Sequence, residues 1–360
     1  MDARERTLGR ISAAVCNFEG REHLPPCLAA LAAQTRALDE VIVVDNASTD
    51  GSAELVARDF PSARLVAMRE NAGPCPARNR GLEEARNPWV LLLDNDAVLA
   101  PDALEKLERA ALARPDAVIV QPRSVVASDP TLVHYDGGAL HYCGLFSLRN
   151  FFVPLREAQG SGVVEVDGAV SVALLARRSV LLECGGFDPR YFILFEDLDL
   201  SMRLRLAGHA ILSVEDALCF HRGGTPGISY RGPIEYPERR AFLHSRNRFV
   251  HLFKNHSTRA LVLGAPGILL YELVWAAFTV RAGSFGAYLR GKWAFLKELP
   301  SLWRERAVVQ ARRRRLDREL LVAGPLTVAP QLKSGAVSRA GMRFLDAALT
   351  LWWRLVRWAA

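Results

Sequence analysis

The chain has 360 residues, of which 50% are apolar and 24% charged. This composition excludes collagen, coiled coil and wholesale disorder, and the length favours two domains because single hydrophobic cores stop growing below it. The net charge of +7 is unevenly divided: residues 1–246 hold 27 Lys and Arg against 33 Asp and Glu, whereas residues 247–360 hold 19 against 6. We therefore expect two parts with different partners.

The cysteines and the N-terminus indicate a reducing compartment. The six cysteines lie far apart and include no C-x-x-C pair, which predicts neither a zinc site nor a disulfide framework. The N-terminus is charged, and the first strand-like run begins at residue 11, which leaves no room for a signal peptide. We therefore expect a cytoplasmic protein.

In the first third, short apolar runs alternate with helical patterns. The predicted strands are 11–15, 41–44, 64–68 and 89–93, and the predicted helices are 23–34, 52–60, 76–86 and 101–114. This alternation is typical of a doubly wound α/β fold, with a mixed, mostly parallel sheet and helices on both faces. Ligands of such sheets bind at the carboxyl ends of the strands, where polar clusters follow at 16–18, 45–48 and 94–96.

Residues 117–220 keep strand-like runs but lose the regular alternation. We interpret the runs as a second subregion packed on the first sheet, with strands at 117–121, 163–166, 169–175 and 210–213. A Gly- and Pro-rich passage at 223–237 predicts a mobile loop. The composition turns apolar and basic after Arg246, so we predict a domain of residues 1–246, with halves of about 10–120 and 121–246, and a helical region of residues 247–360.

Two acidic positions end predicted strands. Asp94 and Asp96 follow a buried strand, and their spacing places both carboxylates on one face of an extended segment. Such a pair suits Mg²⁺ or Mn²⁺, and two solvated turn aspartates are the alternative interpretation. Asp45 also ends a buried strand, where it would either bind a nucleobase or ribose, or cap a turn.

A third acidic cluster opens a predicted helix. Glu196, Asp197 and Asp199 lie in its first turn, where acidic residues commonly offset the helix dipole. An apolar setting with neighbouring like charge would instead raise a carboxylate pKa towards the range of a general base. A histidine at a strand end is usually an ordinary polar residue, but His221 stands between this cluster and the glycine-rich passage, which points to a ligand role as the alternative.

In this order, these segments resemble the family 2 inverting glycosyltransferases of the GT-A fold. The chain is most similar to the bacterial branch with rhamnosyl- and galactofuranosyltransferases, over roughly residues 10–255. The resemblance rests on six features in order. They are an opening strand and nucleotide loop (12–18), a base-binding segment (43–52), a donor segment (71–81), a D-x-D motif (92–96), an acceptor motif (185–199) and a histidine (221). Cys16 and Phe18 depart from the usual loop residues.

The resemblance implies a role for each of these side chains. Asp94, Asp96 and His221 would bind a divalent cation, Mg²⁺ or Mn²⁺. Asp197 would be the general base, and Glu196 and Asp199 would bind the acceptor. The nucleotide-sugar would contact the side chains of the first half, which are Asn17, Asp45, Asn71, Arg78, Asn79, Asp94 and Asn95.

The implied activity is metal-dependent transfer of a sugar, with inversion, from a nucleotide-diphosphate donor to a hydroxyl of a lipid-linked or polysaccharide acceptor. Its expected setting is cell-envelope glycan synthesis. One alternative is a sugar-nucleotide nucleotidyltransferase, which generally needs a glycine-rich phosphate loop that residues 17–20 do not supply. The other is a non-catalytic membrane scaffold, and the joint retention of the acidic residues and His221 argues against it.

The basic third suggests a membrane surface. Residues 260–280 include 16 apolar residues and nearly reach the length of a span, but Pro266 and the charge of Glu272 favour helices that lie at the interface. Arginines at 312–315 and on one stripe of 343–357 would attract anionic lipid. We therefore expect peripheral attachment to the inner face of the plasma membrane, with a solvated helical bundle as the alternative, and no nucleic-acid binding.

Overall fold

The computed structural model describes residues 7–160, 162–223, 236–328 and 336–360. Most of the predicted loop at 223–237 lies outside the described residues. The chain divides into two compact units. The first unit comprises the residues up to 137 together with 149–200 and 209–223, and the second comprises 138–148, 201–208 and the residues after 223.

Strands dominate the described chain up to His221, and helices dominate after it. The strands are β1 (Ile11–Asn17), β2 (Glu40–Asp45), β3 (Arg64–Ala67), β4 (Trp89–Asp94), β5 (Ala97–Leu99), β6 (Ala117–Val126), β7 (Asp129–Tyr135), β8 (Gly138–His141), β9 (Leu145–Leu148), β10 (Val163–Val166), β11 (Ala173–Arg177), β12 (Ala210–His221) and β13 (Leu321–Val322). The helices are α1 (Leu24–Ala32), α2 (Ser52–Asp59), α3 (Pro74–Glu84), α4 (Ala103–Ala113), α5 (Arg178–Glu183), α6 (Glu196–Leu206), α7 (Glu238–Asn255), α8 (Thr258–Arg281), α9 (Phe285–Ala311), α10 (Asp317–Leu320) and α11 (Ala336–Val356).

The first unit contains a mixed sheet of ten strands. Eight of them follow the order β10-β12-β6-β11-β4-β1-β2-β3, with β5 beside β12 and β7 beside β6. Strands β4, β1, β2 and β3 run parallel to one another, and β11 runs antiparallel to β4. The four strands and four helices predicted for the first third are confirmed, with ends that differ by at most two residues. The predicted α/β class is confirmed with them.

The carboxyl ends of the parallel strands meet at one edge of this sheet. Asn17 pairs with Asp45 in the register of β1 and β2, and Cys16 pairs with Asp94 in the register of β1 and β4. β1 and β4, in the middle of the sheet, are buried except at Cys16 and Asp94, as expected for a sheet covered by helices. The predicted gathering of polar clusters at this edge is therefore confirmed.

The second half of the first unit differs from the sequence pattern at β12. The sequence predicts a strand at 210–213, whereas β12 continues to His221 with a register shift between Val214 and Leu218. Glu215 interrupts the apolar run, but it is buried and lies 2.8 Å from Arg149 and 3.4 Å from Arg123. A buried charge that is paired in this way can remain inside a strand, so the polar interruption does not end β12.

The second unit combines helices α7 to α11 with a three-stranded sheet of order β13-β8-β9. The Tyr142 and Trp353 rings stack at 4.6 Å, and Trp353 Nε1 donates a hydrogen bond to the Leu321 carbonyl. These contacts join α11 to the small sheet. The predicted domain boundary after Arg246 falls inside α7, because the basic and apolar composition begins in the second half of that helix.

Within the described residues, α8 is the helix long and apolar enough to cross a membrane, by length and composition alone. Only 22% of its most apolar stretch is buried. One face of the helix, which includes Gly264, Ile268 and Glu272, is buried, whereas Leu269 and Leu273 are exposed.

The charge in the middle of α8 is neutralised inside the second unit. Arg248 of α7 contacts Glu272 Oε2, and Lys292 Nζ of α9 lies 2.6 Å from Glu272 Oε1. Arg248 also donates a hydrogen bond to the Cys143 carbonyl at 2.7 Å. In the sequence Glu272 stands as an isolated charge in an apolar run, whereas the structure gives it two cationic partners that tie α8 to α7 and α9.

We expect Glu272→Ala to lower the free energy of unfolding by about 3 kcal/mol, because removing one partner leaves buried cations uncompensated. Chemical denaturation followed by circular dichroism measures the change. Glu238→Gln is the matched control, since Glu238 pairs with Arg290 between the same two helices, α7 and α9, but both side chains are exposed. The control should change the free energy by less than about 1 kcal/mol. Equal effects of the two variants would contradict the prediction.

Two buried histidines should make the second unit sensitive to acid. His141 and His256 are each 1% exposed, and burial lowers the pKa of His141 to about 3 and that of His256 to about 4. In the unfolded chain both groups titrate near 6.5, so the unfolded state binds more protons below that pH. The contribution of the two histidines to the free energy of unfolding is therefore fully present above about pH 6.5. On acidification below that pH, the free energy of unfolding falls by about 1 kcal/mol per pH unit for each histidine.

The midpoint of thermal unfolding, measured between pH 7.5 and pH 5, checks this prediction. The raised pKa of Glu196 changes the stability in the opposite direction over this range, so the readout is the difference between the unsubstituted protein and His256→Asn. The midpoint of His256→Asn should fall less on acidification, because this group no longer titrates. The same pH dependence in both proteins would contradict the prediction.

Candidate functional site

Two carboxylates and an imidazole meet at the sheet edge of the first unit. Asp94 ends β4, Asp96 follows two residues later, and His221 ends β12, which pairs with β5. One potential ligand atom of each residue lies within 4.8 Å of the others. Two carboxylate oxygens and an imidazole nitrogen form a donor set suited to Mn²⁺ or Mg²⁺, so the predicted metal residues fit a divalent cation.

The two carboxylates of this cluster have different surroundings. Burial raises the pKa of Asp94, and the Arg78 guanidinium opposes that rise. Burial would also raise the pKa of Asp96, but the neighbouring His221 and the Gly223 N–H hold it below its ordinary value. His221 Nε2 lies 3.4 Å from Asp96 Oδ1, and the Gly223 N–H donates to Asp96 Oδ2 at 2.8 Å. Asp96 is therefore the carboxylate that remains ionised most readily.

A single buried guanidinium links this cluster to the acidic residues of α6. Arg78 Nη2 donates to Asp94 Oδ1 at 2.7 Å, and its Nη1 lies 3.6 Å from Glu196 Oε1. The same group lies 5.4 Å from the centre of the Phe187 ring. The nucleotide-sugar contact that the resemblance implies for Arg78 stays a prediction, and its described contacts are with two carboxylates and a ring.

Glu196 and Asp197 are adjacent acids, of which Glu196 is buried and Asp197 is half-buried. Burial and the neighbouring Asp197 raise the pKa of Glu196 to about 8, although Arg78 opposes the rise. Burial also raises the pKa of Asp197. Arg78 opposes this rise, and so do two hydrogen bonds from Ser171, one from its hydroxyl and one from its backbone. Oδ1 of Asp197 is buried and has no hydrogen-bond partner among the described residues. Oδ1 is therefore the oxygen of Asp197 that has no hydrogen-bond donor of its own among the described residues.

The loop before α6 has an unusual backbone. Phe192, Leu194 and Phe195 have positive φ angles of 59°, 70° and 74°. The Ile193 N–H donates to the Tyr191 carbonyl at 2.7 Å, which closes a tight turn of three residues. Such conformations are strained for residues with side chains and persist where the surroundings fix them. They place the acid pair directly after a strained turn.

Asp199 lies on the inner side of α6. It is fully buried, and the Tyr191 hydroxyl donates to its Oδ1 at 3.1 Å. This bond joins α6 to the strained turn. The predicted acceptor contact of Asp199 stays a prediction, and its described contact supports the geometry of the loop.

The predicted nucleotide residues of the first strands form one hydrogen-bonded group. Asn17 Nδ2 donates to Asp45 Oδ1 at 2.7 Å and to the Ser52 hydroxyl at 2.9 Å. Its Oδ1 accepts from Asn95 Nδ2 at 2.8 Å. Asp45 also accepts from the Ser48 N–H at 3.1 Å. The structure thus brings Asn17, Asp45 and Asn95 together, although their contacts with a nucleotide remain predictions.

Asn71 and Asn79 contact different segments. Asn71 Oδ1 accepts from Asn46 Nδ2 and from the Gly73 N–H, both at 3.0 Å. Asn79 forms two hydrogen bonds with the Phe187 backbone, of 2.7 and 2.8 Å, which attach α3 to the acceptor motif. Gly73, at φ +89°, lies so close to the Phe192 ring that a Cβ would stand 2.6 Å from it. The donor segment therefore supports the loop before α6.

Sequence reasoning missed two residues of this site. Ser171 precedes β11 and bonds Asp197, and His134 of β7 lies 3.1 Å from His221, measured between their Nδ1 atoms. A serine before a strand carries no distinctive pattern. His134 lies between the predicted strands at 117–121 and 163–166, a region in which no site residue was predicted.

With this geometry in place, comparison with known proteins decides the family. Residues 12–181 match the family model described as Glycosyl transferase family 2. The domain that includes residues 12–181 is of the glycosyltransferase family 2 type. The predicted family and the predicted enzyme class are confirmed.

Several relatives of this glycosyltransferase are known. It is 29% identical over 256 residues to the N-acetylglucosaminyl-diphospho-decaprenol L-rhamnosyltransferase of Mycobacterium tuberculosis. The aligned region covers 65% of this chain and 81% of that protein. It is also 40% identical over 91 residues to the succinoglycan biosynthesis protein ExoO of Rhizobium meliloti. That alignment covers 25% of this chain and 26% of that protein. These relatives support polysaccharide synthesis as the setting.

A solved structure is similar in fold. The crystal structure of GalNAc-T7 with UDP, GalNAc and Mn²⁺ superimposes with a TM-score of 0.50 at 16% identity, covering 68% of this chain and 50% of that one. At this identity the likeness concerns the fold, and it confirms the predicted GT-A class. The family match ends at residue 181, so it includes Asp94 and Asp96 but not the acids of α6 or His221. For this glycosyltransferase, the roles of those later residues stay predictions.

Proposed function

We propose that this glycosyltransferase is metal-dependent and inverting, and that it moves a sugar from a nucleotide-diphosphate donor to an acceptor hydroxyl. The observation that supports this most is the link through Arg78, which joins the candidate metal cluster at Asp94 to the acid pair at Glu196. Donor activation and acceptor deprotonation need these two sets of groups at adjacent places. No observation favours a nucleotidyltransferase or a scaffold over this activity.

At the donor end, Asp94, Asp96 and His221 would hold Mn²⁺ or Mg²⁺. A divalent cation supplies electrostatic stabilisation for the negative charge that develops on a departing diphosphate. Arg78 holds Asp94 in position by a 2.7 Å hydrogen bond and offsets part of the negative charge of the cluster. The hydrogen-bonded group of Asn17, Asp45 and Asn95 would face the nucleotide.

At the acceptor end, Asp197 would accept the proton of the attacking hydroxyl. The hydroxyl oxygen forms a bond to the anomeric carbon, the bond from that carbon to the diphosphate breaks, and the proton passes to Asp197. Ser171 holds the carboxylate while Oδ1 stays available. Attack on the face opposite the leaving group inverts the anomeric configuration, and Glu196 and Asp199 would orient the acceptor.

For the acceptor, we propose a lipid-linked or growing glycan of the cell envelope. The name of the Mycobacterium tuberculosis relative describes an acceptor on a decaprenol diphosphate. The second unit would then lie at the inner membrane surface, near such an acceptor. Exposed apolar side chains on α8, α9 and α11 and in the turn that follows α11 support this, and they include Leu269, Leu273, Trp293, Trp303, Phe344 and Trp358.

One experiment tests the activity. The purified protein is incubated with a panel of nucleotide-sugars, with and without Mn²⁺, and thermal unfolding and nucleotide-diphosphate release are followed. We expect at least one donor to raise the unfolding temperature in the presence of Mn²⁺, since a ligand at 100 times its Kd adds about 2.7 kcal/mol. Absence of stabilisation and of release across the whole panel would overturn the proposal.

A second experiment tests the membrane surface. Flotation with vesicles of phosphatidylglycerol and phosphatidylcholine should recover the protein with the lipid, and less so without the anionic lipid. Trp293→Glu should reduce the recovery. Val163→Glu is the matched control, because Val163 is a similarly exposed apolar residue of the first unit, 52% against 60%. Equal loss in both variants, or no flotation of the unsubstituted protein, would contradict membrane attachment.

A further inference from the structure

His221 has a buried partner on the side away from Asp96. Its Nδ1 lies 3.1 Å from Nδ1 of His134, whereas its Nε2 lies 3.4 Å from Asp96 Oδ1. Both histidines are more than nine-tenths buried. The ring centres lie 5.0 Å apart, with 26° between the ring planes. The two nitrogens of the His221 ring therefore face two different groups.

The fold fixes His134 in this place. It lies on β7, and both β7 and β12 pair with β6. The Tyr135 ring stacks on the His134 ring at 3.9 Å, and the Phe152 ring contacts it edge-on at 5.6 Å. A ring held by strand pairing and by two aromatic neighbours presents its Nδ1 in one direction.

The chemistry of imidazole defines what such a partner does. A neutral histidine that offers Nε2 as a ligand carries its proton on Nδ1, and that proton needs an acceptor. In metal sites the acceptor sets the tautomer and the orientation of the ligand ring. Here, His134 Nδ1 is at hydrogen-bond distance from His221 Nδ1.

We propose that His134 is a positioning residue for His221: it accepts the Nδ1 proton of His221 and so holds Nε2 towards Asp94 and Asp96. This inference rests on the proposed metal-dependent function of the same site. It adds an imidazole partner that the sequence analysis did not assign. It also predicts that His134 acts through metal affinity and not through contact with the sugar.

Two substitutions separate this role from simple packing. His134→Phe keeps a buried ring but removes the acceptor, and His134→Asn removes the ring but keeps an acceptor oxygen near the position of Nδ1. We expect His134→Phe to raise the Kd of Mn²⁺ about 10- to 100-fold, the range for lost partners of metal-bound histidines. His134→Asn should stay within about 3-fold of the unsubstituted protein, because the acceptor remains.

The Kd is measured by electron paramagnetic resonance of free Mn²⁺, with the full chain and with UDP, GDP or dTDP present in turn. Phe152→Leu is the packing control, since it removes a ring beside His134 and keeps both histidines. Loss of affinity in His134→Phe with retention in His134→Asn and Phe152→Leu supports the proposal. Equal affinities in all four proteins, or equal losses in the three variants, overturn it.

The unsubstituted protein provides a further test if His134→Phe does not fold. With Mg²⁺ and the nucleotide bound, long-range ¹H–¹⁵N spectra should show the His221 proton on Nδ1. A proton on Nε2 would overturn the proposal. If the unsubstituted protein binds no divalent cation with any nucleotide, the proposed metal site itself is refuted. If it binds the cation and the His134 variants bind it equally well, only the role of His134 is refuted.

Discussion

Asp197→Asn is expected to lower kcat for sugar transfer about 10³-fold, within the range of 10² to 10⁴ for one positioned general base. The amide has the same shape as the carboxylate, but it cannot accept the proton of the acceptor hydroxyl. The hydrogen bonds from Ser171 indicate that the side chain stays in place. Donor binding, measured by calorimetry with the nucleotide-diphosphate, should change little because the proposed function places Asp197 at the acceptor end.

The controls for this prediction come from the same loop and helix. Asp188→Asn should leave the rate within about 3-fold, since Asp188 accepts from the Arg190 N–H and an amide oxygen can do the same. Glu196→Gln should have an intermediate effect through its contact with Arg78. If Glu196→Gln abolished transfer while Asp197→Asn retained most of it, Glu196 would be the base instead.

The pH dependence of the rate gives an independent check on the base. The acid limb of kcat reports the group that must lose its proton. Burial raises the pKa of Asp197 above its ordinary value, so activity should be lost at a higher pH than for an exposed aspartate, near 3.9. Because the base is active when deprotonated, the rate falls as the pH falls through that pKa.

The sequence predicted most of what positions the site. Uninterrupted apolar runs located β1 to β4, and parallel strands bring their carboxyl ends to one edge, so the closeness of Asn17, Asp45 and Asp94 followed from the pattern. Bringing His221 to Asp96 was harder, because the two residues are separated by more than a hundred positions. The family resemblance supplied that pairing, and the structure places the two side chains 3.4 Å apart.

What the sequence did not reveal depends on register and on side-chain partners. His134 reaches His221 through β6 and β7, whose pairing shifts register twice between Ser124 and Val126. A one-residue slip would turn the side chain to the other face, and no periodicity predicts such irregularities. Glu272 likewise looked like an isolated charge because its partners come from two other helices.

Asp96→Asn is the second substitution expected to have a large effect. An amide here still accepts the hydrogen bond that the Gly223 N–H donates to Oδ2, so the local backbone should be retained. The negative charge is lost at the carboxylate whose pKa the surroundings hold low. We expect sugar transfer at low Mn²⁺ concentration to fall about 10³-fold, equivalent to about 4 kcal/mol of transition-state stabilisation.

The dependence on metal concentration separates this effect from misfolding. If Asp96→Asn acts by weakening Mn²⁺ binding, raising the Mn²⁺ concentration should restore part of the rate by mass action. Asp102→Asn is the control, because Asp102 pairs with Lys106 on the surface of α4 and its loss should leave the rate and its metal dependence unchanged. Transfer by Asp96→Asn at the unsubstituted rate, at every Mn²⁺ concentration, would show that the cluster does not bind the catalytic cation.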